Sequence, residues 1–300
     1  MIGTATRLAR FARVMYKPHY LLYGVLWVFA LEATLGLLAA PDSAWRPSWS
    51  TGLRVLIVAI VLLYLRMVDE QKDLGYDRVH NPDRPLVTGA VTATDLRIGM
   101  AVIAVLAVAG SLLLSAGSAL AIAAVLLYGL GLWGLERISA WVRDDILVNL
   151  VVTYPVQLLV TAYVLVSVLD TEGVASGFWS LAPAALIFAG AFLQFEFARK
   201  TAREPRPGEH YYSNVLGAVG STAVSLLFVA LAVGADLALV RPWEYGGARF
   251  WLGLLPVPLA LLPGYGAVRF LRGGEYPLGP PVLFIIGLYA VLIAQSAAGA

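Results

Sequence analysis

Three aspartates recur at every fourth residue in the segment Arg66-Met-Val-Asp69-Glu-Gln-Lys72-Asp73-Leu-Gly-Tyr-Asp77. At 3.6 residues per turn, this spacing sets Asp69, Asp73 and Asp77 along one helical stripe that drifts by roughly 80°. Like charges four residues apart destabilise a helix, so the stripe needs a counter-charge. Mg2+ is one candidate, since it takes few carboxylates and fills its other positions with water and phosphate oxygens. The alternative is a solvated helix end whose aspartates pair with Lys72, Arg78 and Arg84. The run Asn81-Pro-Asp83-Arg84-Pro85 then makes a rigid turn, because each proline presets its own φ and restricts its predecessor. Such a turn can hold Arg84 and His80 back over the helix end.

A second polar helix end reads Phe195-Glu196-Phe-Ala-Arg199-Lys200-Thr-Ala-Arg203-Glu204. Glu196, Lys200 and Glu204 share one face, with Arg199 and Arg203 beside it. Of the three lysines in the chain, Lys72 and Lys200 fall in these two segments. Arg137 and Arg143 lie in another polar loop, either as anion ligands or as anchors paired with Glu136, Asp144 and Asp145.

The elements that position these residues must be built from an unusually apolar chain. Of its 300 residues 60% are hydrophobic and only 13% charged, with a mean hydropathy of +0.79. Soluble domains lie nearer about 45–50% apolar and about 25% charged. The solvent for most of this chain is therefore lipid, and the fold class is an all-α polytopic membrane protein. Disorder, a coiled coil and a basic nucleic-acid binder are excluded. The absence of Cys removes disulfides, thiolate metal sites and thiol nucleophiles.

Stretches with little or no charge predict nine spans, at about 19–39, 52–74, 95–115, 118–135, 145–169, 178–200, 213–239, 250–270 and 281–298. Residues 1–18 precede them as a basic interfacial segment, with Arg7, Arg10, Arg13 and Lys17 interspersed among Leu8, Phe11 and Val14. Residues 19–300 then form a single transmembrane domain. With the N-terminus in the cytoplasm, 17 of the 21 Lys and Arg residues fall on the cytoplasmic side. So do 13 of the 19 carboxylates, which orientation alone does not require. Chemistry is expected at that face. Among the polar residues inside spans two are of note: Glu32, a functional candidate because a charge there is costly, and Asn149 near the cytoplasmic end of the fifth.

Nine helices, with an aspartate-rich loop after the second and another polar motif after the sixth, resemble the UbiA superfamily of intramembrane prenyltransferases. The first motif of that family is Asn-x-x-x-Asp-x-x-x-Asp, followed by an Asp-Arg-Pro turn and a glycine. Asp69, Asp73 and Asp77 stand in those places, then Asp83-Arg84-Pro85 and Gly89. Asp69 replaces the usual Asn. The second motif, Asp-x-x-x-Asp, is met by Glu196-x-x-x-Lys200, so a cation stands where a carboxylate belongs.

The resemblance implies an isoprenyl diphosphate substrate and Mg2+, with Asp69, Asp73, Asp77 and Glu196 as catalytic, metal-holding residues. It implies diphosphate binding by Arg84, Lys72, Arg199, Lys200, Arg137, Arg143 and Asn149. Tyr23, Trp27, Tyr154, Phe192 and Phe195 are the aromatics expected to line the prenyl pocket and face the allylic cation. Three activities stay open: prenyl transfer to an aromatic or lipid acceptor, terpene cyclisation without an acceptor, and non-catalytic transport or lipid binding. A transporter would place charges near the bilayer midplane, whereas these gather at one face. The partners expected are the diphosphate substrate, an acceptor and membrane lipids, with no nucleic acid. The arginine-heavy, Ala/Leu/Val-rich usage points to a GC-rich bacterial genome, so the expected location is a bacterial inner membrane, and the charge bias sets the active site towards the cytoplasm.

Overall fold

The computed structural model describes residues 3–172 and 177–298, and every regular element among them is helical. Residues 1, 2, 173–176, 299 and 300, at the two ends and in the loop expected between the fifth and sixth spans, lie outside the described residues. Nine helices among the described residues are long and apolar enough to cross a membrane: Leu21–Ala39, Trp49–Lys72, Ala93–Leu112, Ala116–Ile138, Ile146–Thr171, Phe178–Arg199, Ser213–Glu244, Gly247–Arg272 and Gly279–Ala297. Each coincides with one predicted span. Helices are what lipid demands, because a spanning backbone there must satisfy its own hydrogen bonds.

The chain divides into two compact units, one from Met1–Val28 and Ser48–Thr171, the other from Phe29–Pro47 and Glu172–Ala300. In chain order the helices begin with α1 (Thr4–Met15) and α2 (Pro18–Ala39), and α2 runs through the boundary at Val28. The first unit continues with α3 (Trp49–Lys72), α4 (Leu74–His80), α5 (Ala93–Leu112) and α6 (Ala116–Ile138). It closes with α7 (Ala140–Asp144), α8 (Ile146–Thr153) and α9 (Pro155–Thr171).

Local signals start these helices. Ser48 with Thr51, and Thr92 with Asp95, form reciprocal capping boxes at the heads of α3 and α5. Ser115, in the turn expected between the third and fourth spans, caps α6 through the Ser118 amide at 2.8 Å. Val58, Val61, Ile122, Val125, Tyr163 and Val164 are buried in this unit. Arg54 is also fully buried, and its Nε donates to Ser167 Oγ at 2.8 Å, joining α3 to α9. A cation buried in a span persists only where such partners exist.

The second unit holds α10 (Phe178–Leu181), α11 (Ala185–Arg199), α12 (Ser213–Val240), α13 (Gly247–Leu254), α14 (Pro256–Leu259), α15 (Leu261–Arg272) and α16 (Gly279–Ala297). In it α11 packs closely on α12. A Cβ on Gly190 would meet the Phe228 carbonyl oxygen at 2.6 Å and the Ala232 nitrogen at 2.7 Å, so only glycine allows this approach. The fifth, sixth and eighth spans are each built of shorter helical pieces that meet at Pro155, Pro183 and Pro256. Proline removes a helix hydrogen bond and clashes with the preceding turn.

Candidate functional site

The stripe of aspartates is broken where the chemistry begins. α3 ends at Lys72, Asp73 takes φ −89° and ψ 8°, and α4 restarts at Leu74. The break leaves Asp69 and Asp73 on one side and turns Asp77 to another.

Lys72 is the centre of the first group. Its Nζ lies 3.0 Å from Glu136 Oε1, 3.7 Å from Asp73 Oδ1 and 3.8 Å from Asp69 Oδ1. Asn149 Nδ2 donates to the same Glu136 oxygen at 2.7 Å and to the Val142 carbonyl at 3.2 Å. The ends of α3, α6, α7 and α8 thus meet at one carboxylate. Glu136 and Lys72 are nearly enclosed, whereas the side chains of Asp69 and Asp73 are 46% and 38% exposed. One ammonium faces three carboxylates, so two negative charges are left uncompensated here.

The second group is balanced. Asp77 Oδ2 lies 3.1 Å from Arg84 Nη1, and its Oδ1 accepts from Asn81 Nδ2 at 2.8 Å. The same Arg84 nitrogen donates to Glu70 Oε1 at 2.6 Å, which also accepts from Arg66 Nη2 at 2.7 Å. The turn expected from the two prolines holds Arg84 in this position. The Thr88 amide donates to the Arg84 carbonyl at 2.9 Å and the Val91 amide to the Pro85 carbonyl at 3.2 Å. Gly89 reverses the chain at φ +75°, a conformation that side chains rarely adopt.

In the second unit Glu196 is buried between two cations. Its Oε2 lies 2.5 Å from Arg199 Nε, and its Oε1 lies 2.9 Å from Lys200 Nζ and 3.5 Å from the Tyr212 hydroxyl. The Tyr212 ring stacks on Phe197 with centroids 4.2 Å apart, and Lys200 Nζ stands 5.4 Å from that ring. Burial, and secondarily the Glu196 charge, hold the Tyr212 phenol above its ordinary range, so it stays a neutral donor. Two cations on one carboxylate give this group a net positive charge.

No protein-family model matches the chain, and no curated protein matches it by sequence. Solved structures do. A UbiA homolog from Aeropyrum pernix K1 superposes with a TM-score of 0.63 at 17% identity, covering 90% of this chain and 96% of that one. A UbiA homolog from Archaeoglobus fulgidus, solved bound to DMAPP and Mg2+, gives 0.60 at 16% identity over 96% and 98% of the two chains. A digeranylgeranylglyceryl phosphate synthase structure gives 0.55 at 15% identity over 93% and 99%.

The chain has the UbiA fold.

Within this UbiA fold, the residues expected at metal and diphosphate make contacts with one another. Lys72, expected at the diphosphate, is the internal counter-ion of three carboxylates. Asp77 and Arg84, expected at metal and diphosphate, hold each other. Both oxygens of Glu196, expected at a metal, face cations. Among the described residues no three His, Cys, Asp or Glu side chains converge as a metal cluster. Asp69 and Asp73 are the pair that remains presented to solvent. An oxygen-only set of two carboxylates with excess negative charge suits Mg2+, which needs few protein ligands.

Arg143 lies against both Asp144 oxygens at 2.9 and 3.2 Å, as the anchor reading expected. Arg137 is exposed and forms no ion pair among the described residues. Of the aromatics, Trp27 is buried and Tyr23, Tyr154 and Phe195 half-buried, while Phe192 is 39% exposed. Phe197 and Tyr212 form the stack beside Lys200.

Glu136, Glu70 and Tyr212 are the residues that sequence reasoning missed as members of these groups. Glu136 had a signal: it is the first charge after the long uncharged stretch from Ile98 to Leu135. Tyr212 had none, because its place beside Glu196 depends on the return of the chain from α11 to α12.

Proposed function

We propose that this protein is an intramembrane prenyltransferase that uses Mg2+ to act on an isoprenyl diphosphate and passes the prenyl group to an aromatic or lipid acceptor. The observation that supports this most strongly is the uncompensated charge around Lys72, where Asp69 and Asp73 stay exposed beside an already neutralised Lys72–Glu136 pair. DMAPP and Mg2+ in a solved protein of the same fold give the reading its substrate class.

Asp69 and Asp73 would hold the Mg2+. When bound there, the ion supplies Lewis-acid polarisation of the diphosphate leaving group. Glu136 and Asn149 hold Lys72 closest to Glu136, with its charge between the two aspartates at 3.7 and 3.8 Å. Asp77, Glu70 and Arg66 lock Arg84 and with it the turn that follows. Arg137 is an exposed cation on the helix that carries Glu136, suited to phosphate oxygens. Lys200 and Arg199, each tethered by Glu196, carry the second motif as cation donors where two carboxylates are expected, and Tyr212 keeps that group dry on one side. The lysine and arginine bias supports a cytoplasmic N-terminus and a cytoplasmic active face.

The test is product analysis. Purified protein with Mg2+ and geranyl, farnesyl or geranylgeranyl diphosphate should consume substrate only when an acceptor is added. A cyclic hydrocarbon or terpene alcohol formed without acceptor would replace transfer by cyclisation. Binding without turnover under all conditions would sink both enzymatic readings.

A further inference from the structure

The first 31 residues carry four cations, Arg7, Arg10, Arg13 and Lys17, and no carboxylate. Arg7, Arg10 and Arg13 recur every third residue on α1, within an arc of roughly 120°. Beside that arc Phe11 is buried at 1% exposure. Arg7 is spent on docking: its Nη2 and Nε lie 2.6 and 2.7 Å from the two oxygens of Asp95. Asp95 also completes the capping box with Thr92 at the head of α5. This fastens α1 to the end of the Asp83–Val91 turn that holds Arg84.

The remaining cations have no such use. Arg10, Arg13 and Lys17 are exposed, and none forms an ion pair among the described residues. Between α1 and the turn runs a crevice lined by Arg10, Phe11, Val14, Asp83, Pro85 and Val91, among others. Its floor is apolar, and Val14 is 49% exposed. α1 ends at Met15, and the first helix apolar enough to cross a membrane follows within six residues in the chain. An apolar floor with a basic edge complements an amphiphile with a negative head. Asp83, the carboxylate facing the crevice, is outnumbered by the three free cations of α1 and its end.

We propose that the crevice between α1 and the Asp83–Val91 turn binds the headgroup of an anionic phospholipid, with Arg10 in the crevice and Arg13 and Lys17 extending the basic stripe. The bound lipid holds α1 down on the turn, so lipid charge sets how firmly the turn is ordered. The binding claim stands independently of the proposed chemistry.

The experiment is hydrogen exchange on the full chain in nanodiscs of phosphatidylcholine, with increasing phosphatidylglycerol. Protection of residues 4–15 and 83–91 should rise with phosphatidylglycerol. In the variant Arg10→Gln/Arg13→Gln/Lys17→Gln the midpoint should shift by on the order of a hundredfold, from the loss of three basic contacts. Because the replaced side chains are exposed, the variant should keep its thermal midpoint; if it does not, 0.5 M salt on the unmodified protein must erase the same protection. Equal protection in pure phosphatidylcholine, or a midpoint unmoved by both the variant and salt, overturns the proposal. Protection reproduced by inorganic phosphate at the same concentration also overturns it, by assigning the crevice to free anions.

Discussion

Lys72 Nζ sits 3.0 Å from Glu136 Oε1, and this pair, on α3 and α6, is nearly enclosed while Asp69 and Asp73 beside it are not. The pair neutralises itself. What remains is a doubly negative patch formed by two half-exposed carboxylates four residues apart, at a helix end. A solvated helix end with one stripe of three aspartates would not make this distinction between them.

Replacing Lys72 by Met leaves Glu136 buried without its cation and adds its charge to the patch. Breaking a buried pair from one side costs about 3 kcal/mol or more. The thermal midpoint of Lys72→Met should fall, and added Mg2+ should recover more of it than it adds to the parent protein. A calorimetric or fluorescence melt with and without Mg2+ reads both effects; equal Mg2+ shifts in the two proteins would contradict the charge count.

Asp73 and Asp77 should separate in kind. Asp73→Asn removes an exposed ligand, and turnover should drop about a hundredfold or more with the melting temperature nearly unchanged. Asp77→Asn takes the charge from the contact with Arg84 and should cost about 2 kcal/mol of stability. Paired melts and rate measurements decide this, and a reversed pattern would move the metal assignment to Asp77.

Much of this arrangement was legible in the sequence, and the rest was not for identifiable reasons. Charge-free stretches announced all nine helices, since length and apolarity are what a bilayer selects. The motif residues were found because polar residues are rare enough here to stand out. Their pairing was not, because the helix break at Asp73 depends on how α3 and α4 pack, and periodicity assumes an unbroken helix. Likewise Glu136 and Asn149 are 13 residues apart in sequence yet meet through the short α7, a contact that no spacing rule predicts. The prolines at 155, 183 and 256 were visible as helix breakers. They were masked by the hydropathy of the residues around them.

Lys200 is the cation that the resemblance to UbiA enzymes sets in place of a carboxylate, and it lies 2.9 Å from Glu196. In Lys200→Ala the Michaelis constant for the isoprenyl diphosphate should rise about tenfold, the value of one charge-assisted contact. Lys200→Arg should restore most of it. An unaltered constant in Lys200→Ala would leave the residue as a counter-ion for Glu196 alone.

Gly190 tests the packing beneath that group. Gly190→Ala drives a methyl against the backbone of α12 and should destabilise the protein by about 1–3 kcal/mol. A melt of this variant at or above the parent value would mean that α11 and α12 separate more easily than their contact at Phe228 implies.

The central claim is that Asp69 and Asp73 present a Mg2+ site on which loss of diphosphate depends. It is tested most directly by measuring diphosphate release from an isoprenyl diphosphate, with acceptor present, in the parent protein and in Asp73→Ala. Release should require Mg2+, stop on chelation, and be abolished in Asp73→Ala while the variant still folds. Undiminished release by folded Asp73→Ala, or by the parent protein in chelator, would contradict the account.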